Sequence, residues 1–339
     1  MRTVKAAAAA LVLLSSSNVF AENVILKIGH FLPAASNAHA NVIVPWCEAL
    51  ETESDGRLKC QIYPSMQLGG TPAKLADMAR NGVADIVWTA PGYSAGKFPR
   101  VEALELPFML PYGGQAGNRI IWRFYEQYAQ EDFKDYKMLA LFGDGGMDVH
   151  TRTAPVKTAA DFKSLKLRAS SRTIARTLEG LGATPVSMPP AQMTEAISKG
   201  VVDGAVATWE VVPPTKLDEV TAYHSVGEAD RKAFGYTVLT MLMNKRKYER
   251  MPDDLKAILD RNSGEALVER FGVAWDQAIE KSKQAVPAES IIPIADADYQ
   301  AMQDAVAQVP AQWAADATSA GVEGEALVAG VRTLVSEGQ

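Results

Sequence analysis

The chain reads as an α/β protein with two domains around a ligand cleft. Three observations predict this. Strand and helix signals alternate from Val24 onward, the pattern of layered α/β architecture with mostly parallel sheets. Residues 157–210 contain a complete βαβαβ unit: a run at Leu165-Lys166-Leu167, a helix, a short strand entering Pro189-Pro190, a second helix closed by Gly200, and a strand through Val206. Arg168 stands at the end of the first of these strands, and open α/β sheets bind ligands beyond the carboxyl ends of their strands.

The elements follow in order. Val24 to Ile28 is a strand, and Ala38 to Glu53 a helix that Pro45 should kink or restart. Leu58 to Tyr63 alternates as a strand. Thr71-Pro72 opens a helix with a cap residue and a proline at the first helical position, and Gly82 ends it. Ala84 to Trp88 and Met138 to Phe142 are strands, the latter followed by the turn Gly143-Asp144-Gly145-Gly146. After the βαβαβ unit, Thr237 to Met243 returns as a strand. Pro252 opens a helical stretch toward Ala285, interrupted near Asn262-Ser263-Gly264. Ile291 to Ile294 is a short strand, and the remainder is helical, with Pro310 starting one helix. No linker-like segment separates the halves, so each domain is expected to be discontinuous, with hinge crossings between them. The expected division is 22–145 with about 234–273, and 146–233 with about 274–339 including the C-terminal helices.

Residues 1–21 read as a secretory signal peptide: Arg2 and Lys5, an apolar run from Ala6 to Leu14, and a small-residue site at Val19-Phe20-Ala21. Removal leaves 318 residues and changes the formal net charge from −6 to −8. Such an acidic surface argues against nucleic acid and acidic membranes as partners. No later stretch is apolar enough to span a bilayer, so a soluble exported protein is expected. The two cysteines, Cys47 and Cys60, lie on a helix and on the strand after it; in an exported chain they are either a disulfide or two buried thiols. Together with His30, His39, His150 and His224 they make no metal-spacing motif, and no cofactor is implied.

Several short segments, weak singly and strong in this order, carry a resemblance. They are Leu26-Lys27-Ile28-Gly29-His30, Gly56-Arg57-Leu58, Tyr63-Pro64-Ser65-Met66-Gln67-Leu68-Gly69, Gly82-Val83-Ala84-Asp85 and Leu106-Pro107-Phe108. Further along come Leu165-Lys166-Leu167-Arg168, Leu181-Gly182-Ala183-Thr184-Pro185-Val186 and Gly200-Val201-Val202-Asp203-Gly204. Over nearly all of the mature chain, the sequence resembles the periplasmic solute-binding subunits of tripartite ATP-independent (TRAP) transporters, the dicarboxylate-binding (DctP) type. The resemblance implies a type II periplasmic-binding-protein fold and a periplasmic receptor, monomeric by default. It would capture an organic acid and deliver it to a small and a large membrane subunit. It also implies that Arg168 forms a two-pronged salt bridge with the substrate carboxylate, a role that suits a guanidinium fork. The chain departs from the sialic-acid binders of the family. No arginine occupies their second arginine position near Met147-Asp148-Val149-His150-Thr151-Arg152, and Ala207 stands where they have asparagine.

Further candidates sit near strand ends. Arg172, at the start of the following helix, either reaches back toward the anion or lies solvated. Phe31, Trp88, Tyr93, Trp209 and Tyr236 are candidate pocket walls or core, and His30 either bonds a ligand oxygen or serves the core. This set favours a compact monocarboxylate with an apolar or aromatic body. Two alternatives remain. One is an exported hydrolase, because Gly92-Tyr93-Ser94-Ala95-Gly96 has the G-x-S-x-G spacing, although Lys97-Phe98-Pro99 interrupts the helix that this motif requires. The other is a binding protein for a sensor or an ATP-driven importer.

Overall fold

The computed structural model describes residues 23–227 and 230–338; the signal-peptide segment lies outside the described residues. Eleven strands form two mixed sheets. They are β1 Val24–His30, β2 Leu58–Tyr63, β3 Ile86–Thr89, β4 Tyr136–Gly143, β5 Asp148–Thr151, β6 Lys166–Ala169, β7 Thr184–Ser187, β8 Gly204–Ala207, β9 Tyr223–Val226, β10 Val238–Asn244 and β11 Ile291–Pro293. The first sheet has the order β2-β1-β3-β10-β4, the second β11-β9-β5-β8-β6-β7.

The βαβαβ unit is present. β6 lies between β8 and β7 and runs parallel to both, with Arg168 in register with Ala205 and Val186. Parallel pairings are in the majority among the described strands, as expected, but the sheets are mixed: β10 runs antiparallel to β3 and β4, and β5 antiparallel to β8 and β9. These strands enter their sheets straight from a crossing between the two sheets. They therefore arrive without the helical return that makes neighbours parallel.

The chain passes between sheets at β4 to β5 and at β9 to β10. The two crossings pair with each other, Asp144 N–H donating to the Thr237 carbonyl at 3.1 Å and Met147 N–H to that of Gly235 at 3.0 Å. Gly145 and Gly146 have φ of 78° and 102°, which makes the tight reversal there accessible to glycine. The long helix Glu265–Ala285 is a third connection. Phe271 stacks on Phe142 of the first sheet at 3.7 Å between centroids, while Lys283 lies over the Trp209 ring beyond β8.

Pro45 does restart its helix: a π-helical turn over Ala38–Ile43 passes into the α-helix Val44–Glu53 with the proline in its first turn. That helix packs on β2, and Cys47 and Cys60 form a disulfide with Cα atoms 5.8 Å apart. A link of this loop length stabilises by about 3 kcal/mol through the unfolded chain. No helix among the described residues is long and apolar enough to cross a membrane.

Candidate ligand-binding site

A cavity lies between the sheets. Phe31 follows β1, Trp88 lies in β3 and Tyr93 in the turn after it; Leu239 comes from β10. Ala207 ends β8 and leads into Thr208, Glu210 and Val211. Asp144 and Thr237 come from the paired crossings. Phe31 stacks on Trp88 at 4.7 Å and meets Tyr93 edge-on at 5.3 Å, giving a flat aromatic wall.

Arg168 is the cation of this cavity. It sits inside β6, one residue before the strand's end, and is 2% exposed. Its Nε donates to the Met188 carbonyl at 3.0 Å and Nη1 to that of Val206 at 3.2 Å. Both carbonyls lie at the carboxyl ends of flanking strands, so the sheet itself fixes the plane of the guanidinium. Nη2 is buried and has no acceptor in hydrogen-bonding geometry. Burial pulls the arginine's pKa down, while the Tyr93 hydroxyl and Asp144 oppose this. A buried cation with an unused donor edge is the arrangement that a carboxylate completes.

The other predicted residues are placed differently. Arg172 bonds Glu102 through Nε (3.0 Å) and Nη2 (2.7 Å), clasping the helix Arg172–Gly180 to the segment Val101–Glu105. The Trp209 ring lies outside the cavity lining; its N–H donates to Asp148 at 2.8 Å. The Tyr236 hydroxyl sits between the carbonyls of Pro111 and Gly113. His30 is buried behind Trp88, with Nε2 2.8 Å from His39 Nδ1. Ser94 donates to the Ala73 carbonyl at 2.8 Å. The other two histidines, His150 and His224, face each other at 2.8 Å in the second sheet, so the geometry does not favour a serine hydrolase.

Two acids not anticipated from the sequence line the cavity. Burial pushes Asp144 up to about 7, against the backbone N–H groups of Thr237 and Gly146 and the charge of Arg168. Burial pushes Glu210 up to about 8, helped by the Asp144 charge and opposed by the Asn37 backbone N–H. Glu105, buried at the seam beside the cavity, is also raised to about 8 by burial.

These shifts set a pH dependence. Each carboxyl binds its proton more tightly folded than unfolded, so its contribution to stability falls as pH rises through the window up to 7–8. Buried His30 and His150 are lowered to about 3 and His224 to about 4, so they lose stability only as pH falls below 6.5. Between pH 6.5 and 8 only the carboxyl contributions change among these groups. Urea unfolding of the ligand-free protein should therefore show a lower midpoint at pH 8 than at pH 6.5; an equal or higher one would contradict the assignment.

With this geometry in place, relatives decide the family. The profile of the bacterial extracellular solute-binding proteins, family 7 (DctP), matches residues 28–316. The chain belongs to this family. A TRAP solute-binding protein from an unidentified marine microbe, specific for aromatic acids and solved with 3-hydroxybenzoate, is 38% identical. The match covers 94% of this chain and 99% of that one, with a TM-score of 0.90. A TRAP solute-binding protein of Rhodoferax ferrireducens, solved with copurified benzoate, is also 38% identical, with a TM-score of 0.90 and coverage of 93% and 98%. The 2,3-diketo-L-gulonate-binding periplasmic protein of Escherichia coli is 26% identical over 303 residues, 88% of each chain. The family 7 fold is thus that of a type II periplasmic binding protein, two α/β units enclosing a cleft.

Proposed function

We propose that the protein is a periplasmic receptor that captures an aromatic monocarboxylate and hands it to the small and large membrane subunits of a TRAP transporter. The observation that carries this reading is the Arg168 guanidinium, buried with Nη2 unpartnered, facing a cavity walled by Phe31 and Trp88. The 38% identical relatives hold benzoate and 3-hydroxybenzoate, acids with a flat apolar body. A sugar acid is disfavoured, because the stacked Phe31 and Trp88 rings would cover a face of its ring without partners for the hydroxyls there. The two lobes that close on the ligand are 22–145 with about 234–273, and 146–233 with about 274–339, each holding one sheet, with the last helix, Gly324–Glu337, packing across on the helix Gly114–Phe124 of the first lobe.

The test is a thermal-shift and calorimetric titration of the mature protein with benzoate and 3-hydroxybenzoate. Ligand at a hundred times Kd should add about 2.7 kcal/mol of stability. No shift with either acid at millimolar concentration would overturn the proposal.

A further inference from the structure

We propose that Glu210 reads a polar substituent on the ligand, so that the cavity selects a hydroxylated aromatic acid over the unsubstituted one. This rests on the aromatic-acid reading above and refines it. Glu210 is 3% exposed, lines the cavity, and has an Oε1 with no hydrogen-bond partner. A buried oxygen left in that state is costly, and the cost is offset only when a donor or acceptor arrives.

Its position separates it from the carboxylate clamp. Arg168 is held in β6 by the Met188 and Val206 carbonyls, whereas Glu210 belongs to the 3-10 turn Trp209–Val211 beyond β8 and is approached by the Asn37 backbone N–H. The rest of the lining is mainly apolar, with Phe31, Leu32, Val211 and Leu239 beside Trp88, whose indole N–H also lacks a partner, so Glu210 is the lining group there that can both donate to and accept from a substituent when protonated. An acid seated on Arg168 neutralises the cation of the lining, and the burial of Glu210 beside it favours the neutral carboxylic-acid form. In that form it has one O–H to donate and a carbonyl oxygen to accept, and can pair with a phenolic hydroxyl in either sense. A site of this kind rejects the analogue lacking the hydroxyl because its own buried group is then left unpaired.

Calorimetry with benzoate and 3-hydroxybenzoate on the wild-type protein, Glu210→Gln and Glu210→Leu tests this. The wild type should prefer 3-hydroxybenzoate by roughly tenfold or more. Glu210→Gln, which keeps a donor and an acceptor, should retain the preference. Glu210→Leu should lose the preference and bind the two acids alike. Equal binding of the two acids by the wild type, or a preference that survives in Glu210→Leu, overturns the inference and leaves the receptor reading standing. Binding of neither acid by the wild type overturns both. Should Glu210→Leu fail to fold, the crystal structure of the wild-type complex decides: a ligand hydroxyl on Glu210 Oε1 supports the inference, and one bonded elsewhere overturns it.

Discussion

Arg168→Met should abolish detectable carboxylate binding while leaving the fold intact. The guanidinium is fully buried, and two of its nitrogens are held by the Met188 and Val206 carbonyls, so its remaining donor edge is oriented before any ligand arrives. Removing one partner of a buried, hydrogen-bonded ion pair costs roughly 3–5 kcal/mol, or about two to three and a half orders of magnitude in Kd. Ligand-free stability should move far less, because two effects oppose each other. The substitution strands two carbonyls, which destabilises, and relieves a buried charge, which stabilises. Arg168→Lys should also bind weakly, since a single ammonium cannot hold both carbonyls and present a fork. Calorimetry and urea unfolding on the same preparations separate the two quantities. Unchanged affinity in Arg168→Met would eliminate the site.

Much of this site could be read from residue order, and the unread part has physical causes. Arg168, Phe31, Trp88 and Tyr93 lie at or just beyond strand ends, where the sheet geometry turns side chains toward ligand. The same rule cannot distinguish Trp209 from Glu210. The chain enters a 3-10 turn after β8, so the tryptophan ring folds back onto Asp148 and the next side chain faces the cavity. Asp144 and Glu210 were illegible because carboxyls run against the charge expected of an anion site. Their proton affinity comes from burial, which local sequence does not encode. Strands β5 and β9 were missed for a related reason. They carry Asp148, His150 and His224 in the core, where pairing with Tyr112, Trp209 and each other satisfies polar groups that read as loop.

Gly92→Leu should hold the two lobes apart and weaken ligand binding without unfolding either one. Gly92 lies in the turn after β3, on the side of the first sheet, against Ser171, two residues beyond β6. A Cβ on Gly92 would stand 2.9 Å from Ser171 Cβ and 3.2 Å from both Glu105 carboxyl oxygens. Ser171 cannot move aside cheaply, because its side chain caps the helix Arg172–Gly180 by accepting from the Ile174 N–H. The Arg172–Glu102 clasp closes the same seam, but a half-exposed ion pair contributes too little to compress a leucine into it. Overpacking of this kind costs roughly 1–3 kcal/mol, and lobe separation removes the clash. The cost then falls on the closed, binding-competent state, and apparent affinity drops by about 5- to 150-fold. The ligand-free melting temperature should change little, and small-angle scattering should show a larger radius of gyration with ligand than for the wild-type complex. A drop in melting temperature matching the affinity loss would instead mean that Gly92 serves the interior of the first lobe. Wild-type affinity in Gly92→Leu would mean that the ligand does not require this seam to close.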